Sequence, residues 1–223
     1  GWRLAKAAAT RYLSPEAGAA VSAQEVITRY VAALQEDAGQ EAGGALAAFR
    51  LTRKTALRLG EFCQQLNSPE GQREGAPAAS TTPEDAAHRL AATWLEESFG
   101  LEEAVLRPPL VKVLSEIFHT LNRSPEDLSR LSPPAVVQRF LAAALFQRLV
   151  FDLGEPLEAA APGWQALSQA LADLEAEVRQ AAASSLATAG GPRDWHGPEA
   201  WVWVTRVLEE MLQHFSPKTG SKE

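Results

Sequence analysis

The side chains of this 223-residue chain that could do covalent or metal chemistry are few: Cys63, the histidines His88, His119, His196 and His214, and the adjacent glutamates Glu96-Glu97, Glu102-Glu103 and Glu209-Glu210. A cysteine thiolate beside basic groups is a nucleophile. Cys63, however, shares a helical face with Phe49, Leu59 and Leu66, which predicts a small buried hydrophobe. Zinc or iron needs several converging ligands, and none of the four histidines has a His or Cys three or four residues away. Consecutive glutamates on a helix point about 100° apart, so they cannot share a proton across one substrate. No Gly-x-x-x-x-Gly-Lys-Ser/Thr run exists to surround a phosphate. These features predict no active site, no metal and no cofactor, and hence a protein that is not an enzyme.

Two patterns instead suggest binding. Arg50, Arg53, Lys54 and Arg58 fall on an arc of roughly 140° of a helix spanning 45–66, opposite Phe49, Ala56, Leu59, Phe62, Cys63 and Leu66. A charged face of this kind is usually a solvated surface with some intrahelical pairing. It can also dock an acidic partner or the chain's own acidic second half. The second pattern is the tryptophan group Trp195, Trp201 and Trp203. Trp201 shares a helical face with Val204, Leu208, Met211, Leu212 and Phe215, whereas Trp203 and Val207 lie on the far side. That helix either packs between two layers or exposes an aromatic anchor. The four cations and three tryptophans are the candidate partner-binding residues.

The formal charge is -7, split into +2 over residues 1–66 and -9 over 67–223. This argues against a general nucleic-acid binder, since phosphate binding needs a positive footprint. The basic face 50–58 leaves a nucleic-acid-binding accessory protein as the alternative function. A single cysteine excludes an internal disulfide and fits a reducing compartment. The amino-terminal apolar residues are interrupted by Arg3, Lys6 and Arg11, so no secretory signal is predicted and a cytoplasmic location is expected.

The elements that must position these residues all read as helix, and the expected fold is all-α: a multi-helix bundle around a central buried helix at 132–154, with an amino-terminal helical subdomain. Ser132 and Pro133 start the central helix, and Gly154 with Pro156 is expected to stop it. Its polar residues scatter around the axis, so it should be buried nearly all round. Two Gln-Arg pairs within it preclude the roughly 18 to 20 uninterrupted apolar residues of a membrane span. Further helices are expected over 2–13, from the Ser22 cap to about Glu36, from Thr82 to Phe99, from Pro108, from Ser124, over 163–186 and from Pro198. Pro, Gly and Ser enrichment over 67–82 predicts a linker or long loop. The expected division is therefore 1–66, the linker 67–82, a bundle over 83–215 and a polar tail over 216–223.

One family resembles the amino-terminal part. Trp2, Ala5, Lys6, Thr10 and Arg11 in GWRLAKAAATRYLS, then Arg29-Tyr30-Val31-Ala32-Ala33-Leu34, the pair Gly43-Gly44 and Arg58-Leu59-Gly60-Glu61-Phe62 are similar to the pattern of the QatB family. That family is a component of the bacterial Qat anti-phage defence system, which combines an ATPase, a QueC-like protein and a TatD-like nuclease with it. The resemblance implies a helical component that holds or presents partners, chiefly the QueC-like protein of the same operon, with the ATPase and the TatD-like nuclease as further partners. It also implies a Gly- and Ser-rich segment ahead of Trp2 for a QueC-like enzyme to engage or modify.

Overall fold

The structure, a computed structural model, describes residues 1–14, 20–39, 44–96, 100–123, 131–186 and 190–216. The described residues form α1 (Trp2–Leu13), α2 (Ala23–Ala38), a 3-10 segment (Gly44–Phe49), α3 (Arg50–Gln65), α4 (Pro69–Gly75), α5 (Pro83–Leu95), α6 (Leu101–Arg123), α7 (Pro133–Ala160), α8 (Trp164–Leu186) and α9 (Pro198–His214), with no strand among them. This is the expected all-α bundle. The central helix is α7, which packs against α1, α3, α6, α8 and α9. Leu141, Leu145, Leu149, Leu153 and Leu157 along it are fully buried. Each such leucine contributes roughly 1.5 to 3 kcal/mol through apolar area removed from water.

Two proline positions depart from expectation for the same reason. The central helix runs through Gly154 and Pro156 to Ala160, and α6 begins at Leu101 and runs through Pro108 and Pro109. Each internal proline lacks the N–H that would bond the carbonyl four residues earlier. Continuing α7 places Leu157 under Leu153 in the core, and continuing α6 buries Val105, Leu106, Pro109 and Leu110. Burial on this scale outweighs the lost hydrogen bonds. The expected start of α3 at Ala45 is also modified, because Gly44–Phe49 takes 3-10 form before the α-helix opens at Arg50.

Two of the expected caps close through their side chains, whereas Ser132 stands at the N-cap of α7 without a side-chain bond. Ser22 Oγ accepts from the Glu25 N–H and Thr82 Oγ1 from the Asp85 N–H, both at 3.1 Å. In the segment read as a linker, Ser68 caps the short α4 by accepting from Gly71 N–H at 3.0 Å. One apolar core joins residues from both sides of that segment, including Ile27, Leu59, Leu114 and Val204. The helix expected from Ser124, the end of the helix expected to reach Phe99, and most of the tail lie outside the described residues.

A polar node fastens α2 to α7. Tyr30 O–H donates to Asp152 Oδ2 at 2.9 Å, and Arg148 Nε donates to the same oxygen at 2.9 Å. Burial pushes the Tyr30 hydroxyl well above its ordinary value, with the Asp152 charge adding to it. Burial works against the Arg148 charge, but its hydrogen bond to Asp152 and the nearby negative groups outweigh that and raise it. A raised tyrosine value means that the fold favours the neutral hydroxyl. This contribution is complete below about pH 10 and is lost as pH rises through the folded value. Tyr30→Phe is expected to cost about 1 to 3 kcal/mol in urea denaturation at neutral pH, because it strips one donor from a part-buried carboxylate. It should also flatten the loss of stability above pH 10, the remaining slope coming from Tyr12, which burial and then Asp173 push up to about 12, and from the Cys63 thiol, which burial pushes up to about 12.

Candidate functional site

The α3 cations form a line on one face of that helix, opposite the buried Thr52, Ala56, Leu59 and Cys63. Arg50, Lys54 and Arg58 follow one another at four-residue spacing and are exposed, covering about 12 Å of helix axis. Arg53 stands beside the line, half-buried against α9. Its guanidinium lies 4.9 Å from the Trp201 ring centre, Nη1 donates to Thr205 Oγ1 at 3.3 Å and Nη2 to the Leu46 carbonyl at 3.4 Å. Arg53 Nε is buried and has no hydrogen-bond partner. Burial, and next the neighbouring Arg50 charge, lower the Arg53 value, although a guanidinium remains charged. At the other end Arg58 lies 5.5 Å from the Trp94 ring centre, and Trp94 stands edge-on to Phe62 at 5.7 Å.

None of these four cations forms an ion pair among the described residues, and Glu61, the one carboxylate of α3, does not reach them. The intrahelical pairing expected of a solvated face occurs elsewhere instead. Arg29, Arg148, Arg179 and Arg206 pair with Glu25, Asp152, Glu175 and Glu210 across one helical turn, at 3.6, 2.9, 2.6 and 3.0 Å. Arg107 pairs with Glu103 in the same way. Like charges at four-residue spacing destabilise a helix by about 0.2 to 0.5 kcal/mol per pair. The Trp94 contact offsets part of this cost at Arg58, while no ion pair among the described residues offsets it at Arg50 or Lys54.

The tryptophans divide. Trp201 reaches the ridge, half-buried, through Arg53. Trp195 and Trp203 are interior residues, standing edge-on to each other with centres 5.4 Å apart. The α9 helix thus packs between two layers, with Trp203 and Val207 buried on the side opposite Leu208 and Leu212. Trp195 lies directly over Gly60 of α3, and its main-chain N–H donates to Gln64 Oε1 at 2.6 Å. Asp194 accepts from the His196 main-chain N–H at 3.0 Å, which above all holds its carboxyl below the ordinary range. Trp195 and Trp203 therefore seat α9 against α3 and so place Trp201 under Arg53. Trp94, Thr205 and the Leu46 carbonyl are components of the site that sequence reasoning missed: Trp94 and Thr205 come from helices remote in sequence from the charged run, and the Leu46 carbonyl is turned to Arg53 by the 3-10 segment just before α3.

Cys63 is buried, and burial pushes its thiol up to about 12, so it is not a thiolate at neutral pH. His119 Nε2 lies 2.6 Å from Glu84 Oε1, joining α6 to α5 at the surface. Among the described residues no three His, Cys, Asp or Glu side chains converge as a metal site, and no helix is long and apolar enough to cross a membrane. A cleft of about 430 Å³ opens between α6, α7 and α8, but its carboxylates Glu116 and Glu175 are held by Arg139 and Arg179.

No curated protein and no solved structure matches the chain. A family model does, over residues 39–215: the Qat anti-phage system associated protein QatB. The match contains the whole ridge and every element that supports it; of the positions that carry the resemblance read from sequence, it includes Gly43-Gly44 and Arg58 to Phe62 and begins downstream of Trp2 and Arg29-Tyr30.

Proposed function

The chain belongs to the QatB family of Qat anti-phage system components, and on that premise we propose that it is a non-catalytic, cytoplasmic helical subunit that docks the QueC-like protein of the same operon through the α3 ridge. The observation that carries this reading is the row of unpaired cations Arg50, Lys54 and Arg58, with Arg53 fixed on Trp201. Other cations, among them Arg3, Lys6 and Arg11 of α1, also lack an ion pair among the described residues, but the ridge sets three at four-residue spacing on one face with Arg53 fixed beside them, and so concentrates charge available for a partner. In the described cleft both carboxylates, Glu116 and Glu175, are engaged by Arg139 and Arg179, which fits a binding role better than acid–base chemistry. The operon ATPase and TatD-like nuclease are further proposed partners.

The test is phage protection by the complete operon in cells. Replacing Cys63 by serine or any of His88, His119, His196 and His214 by asparagine should leave protection intact, whereas reversing Arg53 and Lys54 to glutamate should abolish it. Protection lost with one of the former, in a variant that still folds, would contradict the non-catalytic reading. Protection retained with the reversed ridge would contradict the docking reading.

A further inference from the structure

We infer that the ridge takes an acidic helix of a protein partner, laid along α3 with carboxylates repeating at four-residue intervals. This deepens the docking reading and rests on it. Arg50, Lys54 and Arg58 recur every four residues, about 6 Å apart along the axis. A second helix with acidic residues at i, i+4 and i+8 presents the complementary charges at the same interval. Arg53 adds a flat, oriented fork beside the row. Its plane is held by Trp201, Thr205 and the Leu46 carbonyl, and guanidinium is the side chain best matched to a carboxylate.

The surroundings set the partner's course. Val202, next to Trp201 on α9, is 63 % exposed, so an apolar side chain flanking the acidic row has a seat. Beyond it the solvent side of α9 carries the exposed Glu199 and Glu209. These repel an acidic partner and confine it to the line of α3. The same geometry disfavours nucleic acid. Single-stranded binders offer open aromatic faces on which bases stack, whereas Trp201 and Trp94 are each covered on one face by a guanidinium. The four cations also sit on a chain of net charge -7, which weakens the long-range attraction that phosphate backbones require.

The experiment uses the full chain and two hydrocarbon-stapled helical peptides of identical composition. One carries glutamates at i, i+4 and i+8; the other spreads them around the helix. Stapling removes the marginal stability of short helices as a variable. The patterned peptide should bind at least about tenfold more tightly at physiological salt, as charge register at an interface predicts. Both Lys54→Glu, at an exposed position, and Trp201→Ala should erase that difference while the far-ultraviolet spectrum stays unchanged. Equal binding of the two peptides would overturn the helix inference, as would a DNA oligonucleotide that binds the ridge more tightly than either. Equal peptide binding combined with ridge-dependent capture of the QueC-like protein would leave the docking reading standing. Ridge-independent capture would remove it.

Discussion

Gly60→Ala is expected to destabilise the protein by about 3 kcal/mol, a large share of the roughly 5 to 15 kcal/mol that holds such a fold together. The sign is opposite to that of an ordinary helical site, where alanine is favoured over glycine by about 1 kcal/mol. A Cβ at Gly60 would stand 1.9 Å from Cε3 of Trp195 and 2.4 Å from Cδ2, inside a ring that is 2 % exposed. The ring has no free direction, since Trp203 packs against it and its main chain is tied to Gln64. Overpacking therefore overrides helix propensity. Gly154→Ala is the control: that glycine also lies in a helix, but nothing approaches its Cβ position, and the change should stabilise by about 0.5 to 1 kcal/mol. Urea denaturation of the two variants separates the effects. Equal shifts in the same direction would show that Trp195 does not press on α3.

The second large effect is on association. Reversing Arg53 and Lys54 to glutamate changes the ridge by four charge units, removes the oriented fork and places repulsive groups at its centre. Affinity for the proposed QueC-like partner is expected to fall at least about a hundredfold, equivalent to about 3 kcal/mol. Part of the loss should appear as a slower, less salt-sensitive encounter, because charges at an interface steer association. The single variants apportion the cause. Lys54 is exposed, so Lys54→Glu reports charge alone. Arg53→Lys keeps the charge but loses the flat contact with Trp201, a stack worth about 0.5 to 2 kcal/mol. An unchanged affinity in Arg53→Lys would show that charge, and not the held geometry, makes the contact.

Most of the fold was legible because helix signals are local. Ser22 and Thr82 cap the helices they were expected to cap, and the first half of α7 has the burial on most sides that its scattered polar residues implied, whereas from Leu149 onward a single stripe is buried and Phe151 is half exposed. What was misread is what the core decides. Pro108, Pro109 and Pro156 argue for breaks on local grounds, but the apolar residues on both sides of each are worth more when the helix continues. The segment 67–82 reads as a linker by composition, and apolar residues from both sides of it share one core.

The site was half legible. The angular sector of Arg50, Arg53, Lys54 and Arg58 follows from helical periodicity, and the structure keeps it. The surface or interior place of each tryptophan does not follow, because it depends on which helix lies opposite. Trp195 finds the one glycine of α3, Trp203 follows it inward, and Trp201 meets Arg53 across an interval of 148 residues. No sequence pattern encodes such a meeting. The family assignment shows a parallel division: the residues that prompted it near the amino terminus precede most of the stretch that the family model matches.

Light scattering on size-separated mixtures of this chain with the QueC-like protein of its operon tests the central claim most directly. The account predicts one species with the summed mass of the two proteins for the wild type. For Arg53→Glu/Lys54→Glu it predicts two separate species, each folded. Separate species with the wild type, or a complex that survives the double reversal, would contradict it.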